Sequence, residues 1–183
     1  MSSPTSVAVG PRPADVERWL GELGIELLER ADREGVVAWD VVLDGRRRRD
    51  LRVTLILDPT LGLICWAHYA PPINDLFRKS YRKLLRWNDE LPFVKFAIGE
   101  DERPILSTEL PPEAVDADAL GLALARLVAV ADRLIDDSAD WLWPGGKGRP
   151  AEDPGQPHAP LLDRYAARLE ELTEPPDATE PNA

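Results

Sequence analysis

The chain has 183 residues, 44% hydrophobic and 30% charged, which suits one packed domain with tails. Its 22 Lys and Arg stand against 33 Asp and Glu, a formal net charge of -11 that argues against general nucleic-acid or anionic-membrane binding and favours solubility. A lone cysteine, Cys65, excludes an intramolecular disulfide framework and fits a reducing cytoplasm.

The N-terminal MSSPTSVAVGPRP has no charged start followed by an apolar run, so no signal peptide is expected. The most apolar run, residues 119–131, is interrupted by Arg126 and is too short to span a bilayer. Residues 1–12 are expected to be disordered. A helix begins near Pro13, with proline well placed in the first turn and Val16, Trp19, Leu20, Leu23 and Leu27 at helical spacing. Gly24 is a candidate C-cap. Residues 25–31 read equally well as a continuation of the helix or as the start of a strand.

Three strands follow, Val36–Leu43, Asp50–Leu57 and Leu61–Tyr69. Their apolar sets share a face only if the loop from Asp44 has an odd number of residues. A five-residue loop, 44–48, puts Trp39 opposite Val53 and Asp40 opposite Arg52. A three-residue loop, 58–60, puts Val53 opposite Cys65 and Arg52 opposite Trp66. One sheet face is then wholly apolar, built from Val37, Trp39, Val41, Leu51, Val53, Leu55, Leu63, Cys65 and Ala67. The other is mixed, with rows Asp40–Arg52–Trp66 and Val42–Asp50–His68.

Pro71-Pro72 breaks the sheet, and Asn74 is a candidate N-cap for a helix over 74–88. Leu76, Phe77, Ser80, Tyr81, Leu84, Leu85 and Trp87 take one half of this helix; Arg78, Lys79, Arg82, Lys83 and Arg86 take the other. Pro92 stops it. Phe93–Ile98 alternates as a strand, 99–103 turns, and a second strand returns through Leu106, Thr108 and Leu110, with Phe96 opposite Leu106 and Pro104 at the first position or on an edge. A helix capped near Asp116 or Asp118 then carries a broad apolar stripe through Leu120, Leu124, Leu127, Val128, Ala131, Leu134 and Ile135, and is expected to lie across the apolar sheet face. The domain therefore spans 13–138. Residues 139–183 hold a Trp141–Gly146 loop and an acidic tail; from Pro150 onward eight acidic residues stand against two basic ones. Within the tail, Leu161, Leu162, Tyr165, Leu169 and Leu172 mark a short amphipathic helix near 160–172.

The order of these elements, with Asn88, the segment Leu91-Pro92-Phe93-Val94-Lys95-Phe96 and the later Glu109-Leu110-Pro111, resembles the YbjN-like family over residues 13–138. The resemblance implies the α+β fold of type III secretion chaperones: an antiparallel sheet of about five strands with helices on one face, in the order α-β-β-β-α-β-β-α. The family is described as bacterial sensory-transduction regulators, and the resemblance brings no catalytic or cofactor residues.

The chemistry-bearing residues support no enzyme reading. Cys65 and His68 lie three apart on a strand and so face opposite sides, which prevents a shared metal ion. Gly145-Gly146-Lys147-Gly148 lacks the spacing and the hydroxyl residue of a phosphate loop. Arg46–Arg49 reads as a phosphate grip or as a solvated hairpin tip. The basic half of the 74–88 helix (Arg78, Lys79, Arg82, Lys83, Arg86) is a solvated face or a docking face for an acidic partner, the chain's own acidic tail included. The mixed sheet face, with Asp40, Arg52, Ile56, Ile64, Trp66 and His68, is the candidate partner-binding patch; cross-strand pairing, with Arg52 between Asp40 and Trp66, is the alternative. Trp141 and Trp143 would cover part of that face or pack at a helix end. The expected function is a cytoplasmic, non-enzymatic protein-interaction module, chaperone-like or regulatory, with an unidentified protein partner or a second copy of itself, and with no cofactor, metal, nucleic acid or membrane. The alternative is an enzyme or small-ligand binder with an unrecognised site.

Overall fold

A computed structural model describes residues 10–73, 78–135, 137–138 and 158–173. The expectations for residues 1–9, Asn74, Leu76, Phe77 and the Trp141–Gly146 loop lie outside these.

Helix α1 (Pro13–Glu22) starts where the Asp15 carboxylate accepts the Arg12 amide proton at 3.1 Å. It ends at Gly24, whose φ of +72° lets the Ile25 amide reach back to the Leu20 carbonyl at 2.9 Å. The chain then makes strand β1 (Leu27–Arg33), which settles the open reading of residues 25–31. The segment carries little apolar alternation because it is an edge strand, paired on one side only, with β2 (Val36–Leu43). Strands β3 (Leu51–Asp58) and β4 (Gly62–His68) follow. Helix α2 (Arg78–Glu90) then precedes β5 (Lys95–Ile98), β6 (Pro104–Leu110) and helix α3 (Ala117–Arg133). All pairings are antiparallel, and the six strands lie in the order β1-β2-β3-β4-β6-β5.

The α+β architecture expected from the sequence is present, with a sixth strand. The nine residues assigned to the apolar face are all buried. They form one core with Val16 and Leu20 of α1, Leu84 and Trp87 of α2, and the α3 stripe, in which Leu127 is fully enclosed. Leu85, read as apolar-side, is instead 69% exposed.

The hairpin registers differ from the sequence reading by two residues while keeping its parity. Trp39 faces Leu55 and Asp40 faces Thr54; Thr54 in turn faces Trp66 and Leu55 faces Cys65. The β2–β3 loop holds seven residues, 44–50, not five, because its amides are claimed from far away. Asp132 at the end of α3 accepts from Arg46 N (2.7 Å), Arg47 N (2.9 Å) and Arg48 N (2.6 Å). The β3–β4 loop is 59–61, one residue later than expected, because the Asp58 carboxylate accepts the Thr60 and Leu61 amides at 2.7 and 2.9 Å and makes Asp58 the last ladder residue. The 99–103 turn agrees with expectation: Phe96 faces Leu106, and Pro104 opens β6.

Helix α3, capped by Asp116 through the Ala119 amide at 2.8 Å, is buried almost all round. A helix apolar on every side needs cover on both. The sheet supplies one side. The tail supplies the other, as helix α4 (Ala159–Arg164), a 3-10 turn (Ala166–Arg168) and a final turn α5 (Glu170–Thr173). Leu161, Leu162, Tyr165, Leu169 and Leu172 are all buried there, although they lie on the two helical pieces and at the ends of the 3-10 turn between them rather than on one helix.

Candidate functional site

The mixed sheet face carries the first candidate site. Asp40, Ile56, Ile64, Trp66 and His68 are half-buried and Arg52 is exposed, all on the side opposite the helix-covered core. Strand alternation places them together, as the sequence reading expects. The pairing within the face is different. Thr54, not Arg52, stands between Asp40 and Trp66, and Arg52 stands opposite Val42, where Asp50 was expected. Arg52 reaches diagonally to Asp40, with its Nε 3.2 Å from Oδ2 and its Nη2 on the same oxygen, while Thr54 donates to Oδ1 at 2.6 Å. Burial opposes ionisation of Asp40, but the bonds from Thr54 and Arg52, with the nearby Arg52 and His68, outweigh it and lower its pKa. The result is a fixed ionic centre with Trp66, Ile56 and Ile64 beside it. Thr54 was missed, although alternation alone puts it on this face.

Cys65 lies on the other face, fully buried, and burial pushes its thiol up to about 12. It is a core side chain, not a nucleophile at neutral pH. Among the described residues no group of three or more His, Cys, Asp or Glu could hold a metal ion, and no helix is long and apolar enough to cross a membrane.

The second candidate is the basic half of α2. Lys79, Arg82, Lys83 and Arg86 are exposed, and Lys83 Nζ donates to the Asp137 carbonyl at 2.8 Å. The side chain of Arg78 lies outside the described residues. The described part of the acidic tail does not lie here. It covers α3, and its ion pairs go elsewhere: Asp163 to Arg46 at 3.2 Å, and Arg168 to Asp118 at 2.5 Å. Both pairs are exposed and worth little, so burial of the tail's apolar residues decides the location.

Asn88 and the segment after it bind α2 to the sheet edge. The Asn88 side-chain amide accepts from Phe96 N at 2.6 Å and donates to Phe96 O at 3.0 Å. Leu91 and Val94 are buried on either side of the turn, and Phe93 (φ +66°) lies under the Arg126 guanidinium of α3 at 3.8 Å. These residues build the corner between helix, sheet and α3, and a family model matches residues 12–140 around them, described as "Putative bacterial sensory transduction regulator". The chain belongs to the YbjN family. A search of curated proteins returns no match. The YbjN match ends before the 158–173 segment, so the cover on α3 is supplied from beyond the matched range.

Proposed function

We propose that this YbjN-family chain is a non-enzymatic regulatory module that works by binding another protein through its open sheet face. The observation that carries this reading is the composition of that face: Trp66, Ile56 and Ile64 are only half-buried on rigid central strands, beside an Asp40–Thr54–Arg52 centre whose geometry is already fixed. Solvated antiparallel faces usually show plain polar alternation. A preordered aromatic and aliphatic patch with an ionic rim is instead the make-up of an interface core. The buried thiol and the family's regulatory description support a binding role over a catalytic one, in a reducing cytoplasm.

The test compares wild type with Trp66→Ala and Ile64→Lys. Both should keep thermal stability within a few degrees, because neither side chain belongs to the core. Both should lose the same native partners in pull-down, with affinity for the partner falling by at least about 2 kcal/mol for Trp66→Ala. Equal recovery of every partner by the folded variants would show that this face is not the binding surface.

A further inference from the structure

We infer that the exposed side of α2 is a docking surface for an acidic helical segment of another protein, separate from the partner-binding face proposed above. Helix α2 divides sharply. Ser80, Leu84 and Trp87 are buried, while Lys79, Arg82, Lys83 and Arg86 are exposed. The four cations stand at i, i+3, i+4 and i+7, the spacing that lines side chains up along one helix face. At about 1.5 Å per residue the row rises about 10 Å along the axis.

The row lacks the compensation found elsewhere on the chain. Acidic residues outnumber basic ones 33 to 22, and Arg12, Arg18, Arg30, Arg52 and Arg168 each pair with a carboxylate. Among the described residues, Lys79, Arg82 and Arg86 pair with none, and Lys83 donates to a backbone carbonyl, that of Asp137, at 2.8 Å. Like charges at i, i+4 repel, here Lys79 with Lys83 and Arg82 with Arg86. The helix's own carboxylates, Asp89 and Glu90, come after the last cation of the row and form no ion pair with it. The described part of the acidic tail lies on α3.

The row itself indicates the form of the partner. A helix carrying Glu at i, i+3, i+4 and i+7 repeats its pitch, so four carboxylates meet guanidinium and ammonium groups along the same rise. Leu85, three residues after Arg82 and 69% exposed, supplies an apolar contact beside the ionic ones. Nucleic acid and anionic bilayers extend far beyond one helix and meet the field of a chain with net charge -11, whereas a short acidic segment meets the row alone. Leu84 and Trp87 root α2 in the core on the covered side of the sheet, so Trp66 and its neighbours take no part in this surface.

The test titrates the full chain into a fluorescent alanine-based helical peptide of about sixteen residues, with Glu at i, i+3, i+4 and i+7 and one flanking Leu, followed by anisotropy. The comparisons are a peptide of the same composition with its Glu residues spread around the helix, a Lys counterpart, a duplex DNA oligonucleotide and phosphatidylserine vesicles. The Glu-row peptide should bind saturably, at least about tenfold more tightly than the other two peptides, and should weaken as salt rises from about 0.05 to 0.5 M. Arg82→Gln combined with Arg86→Gln should lower affinity at least about tenfold with thermal stability no lower, since a like-charge pair is relieved. Leu85→Ala should lower affinity severalfold. Arg33→Gln, at an exposed cation on β1, and Trp66→Ala, on the open sheet face, should leave affinity unchanged, so this surface and the sheet face are read separately. Equal binding of the spread-Glu peptide, equal or tighter binding of DNA or vesicles, undiminished binding by the folded double variant, or no saturable binding of the Glu-row peptide would each overturn the inference. So would self-association of the full chain that the double variant loses, which would assign the row to a second copy.

Discussion

Asp132 closes three successive amides of the arginine loop with one carboxylate, and Gly45 lets it approach: a Cβ there would lie 2.3 Å from Oδ1. Asp132→Ala should therefore cost about 1–3 kcal/mol in urea unfolding, with the largest rise in amide exchange at 46–48. Asp132→Asn, which keeps one acceptor oxygen, should fall between that variant and wild type. A second polar tie joins the same loop to the tail, where His158 Nδ1 accepts the Asp44 amide proton at 3.0 Å. Burial lowers the His158 pKa, against a smaller opposing pull from Asp44. The unfolded chain therefore binds more protons than the folded one, and stability must rise with pH through this range. The contribution is complete above the unfolded value near about 6.5 and is lost as pH falls from there through the lowered folded value. Urea unfolding of wild type minus His158→Ala, measured between neutral and mildly acidic pH, should show this slope; a flat difference would mean that the imidazole does not titrate against docking.

At the scale of elements, the tail and α3 approach closely at Gly121. The Tyr165 ring lies on Gly121, where a Cβ would come within 2.3 Å of the hydroxyl oxygen. Gly121→Ala has two opposed effects. It favours α3 by about 1 kcal/mol through helix propensity, and it lifts Tyr165 off the helix. Amide exchange should consequently accelerate in 158–173 while α3 itself stays protected; uniform change in both would contradict this contact. Several elements were legible in the sequence because their cause is local. The 99–103 turn and the two faces of β2–β4 follow from alternation, and Pro92 ends α2. The register of β2 on β3 was not legible, because Asp132 acts on the loop from 84 to 86 residues away. Strand β1 was not legible because an exposed edge has no apolar period to read. The members of the open-face site could be read from parity alone, whereas the Asp40–Thr54–Arg52 geometry needed the correct register. The destination of the tail could not be read, since opposite charge pointed to α2 while the decisive apolar match with α3 has no sequence signature.

For the whole molecule, the tail is a second cover on an otherwise complete domain. Deleting 158–183 should leave a folded core but expose the outer side of α3, a contiguous apolar surface of the kind that associates. Sedimentation should show stronger concentration-dependent self-association than that of the full chain, and a truncated chain that associates no more than the full chain would mean that α3 is otherwise protected. The Asn88 contact has a different implication. By taking both the amide and the carbonyl of Phe96, Asn88 occupies hydrogen-bonding groups of an outermost strand. At the opposite margin, β1 has a register shift between Leu27 and Glu29, followed by Arg30, Asp32 and Arg33. Irregularity and charge of this kind discourage a foreign strand from joining. Both ends of the ladder are thus blunted, so the sheet is a poor template for fibre growth, and the protein can present a half-apolar surface without polymerising.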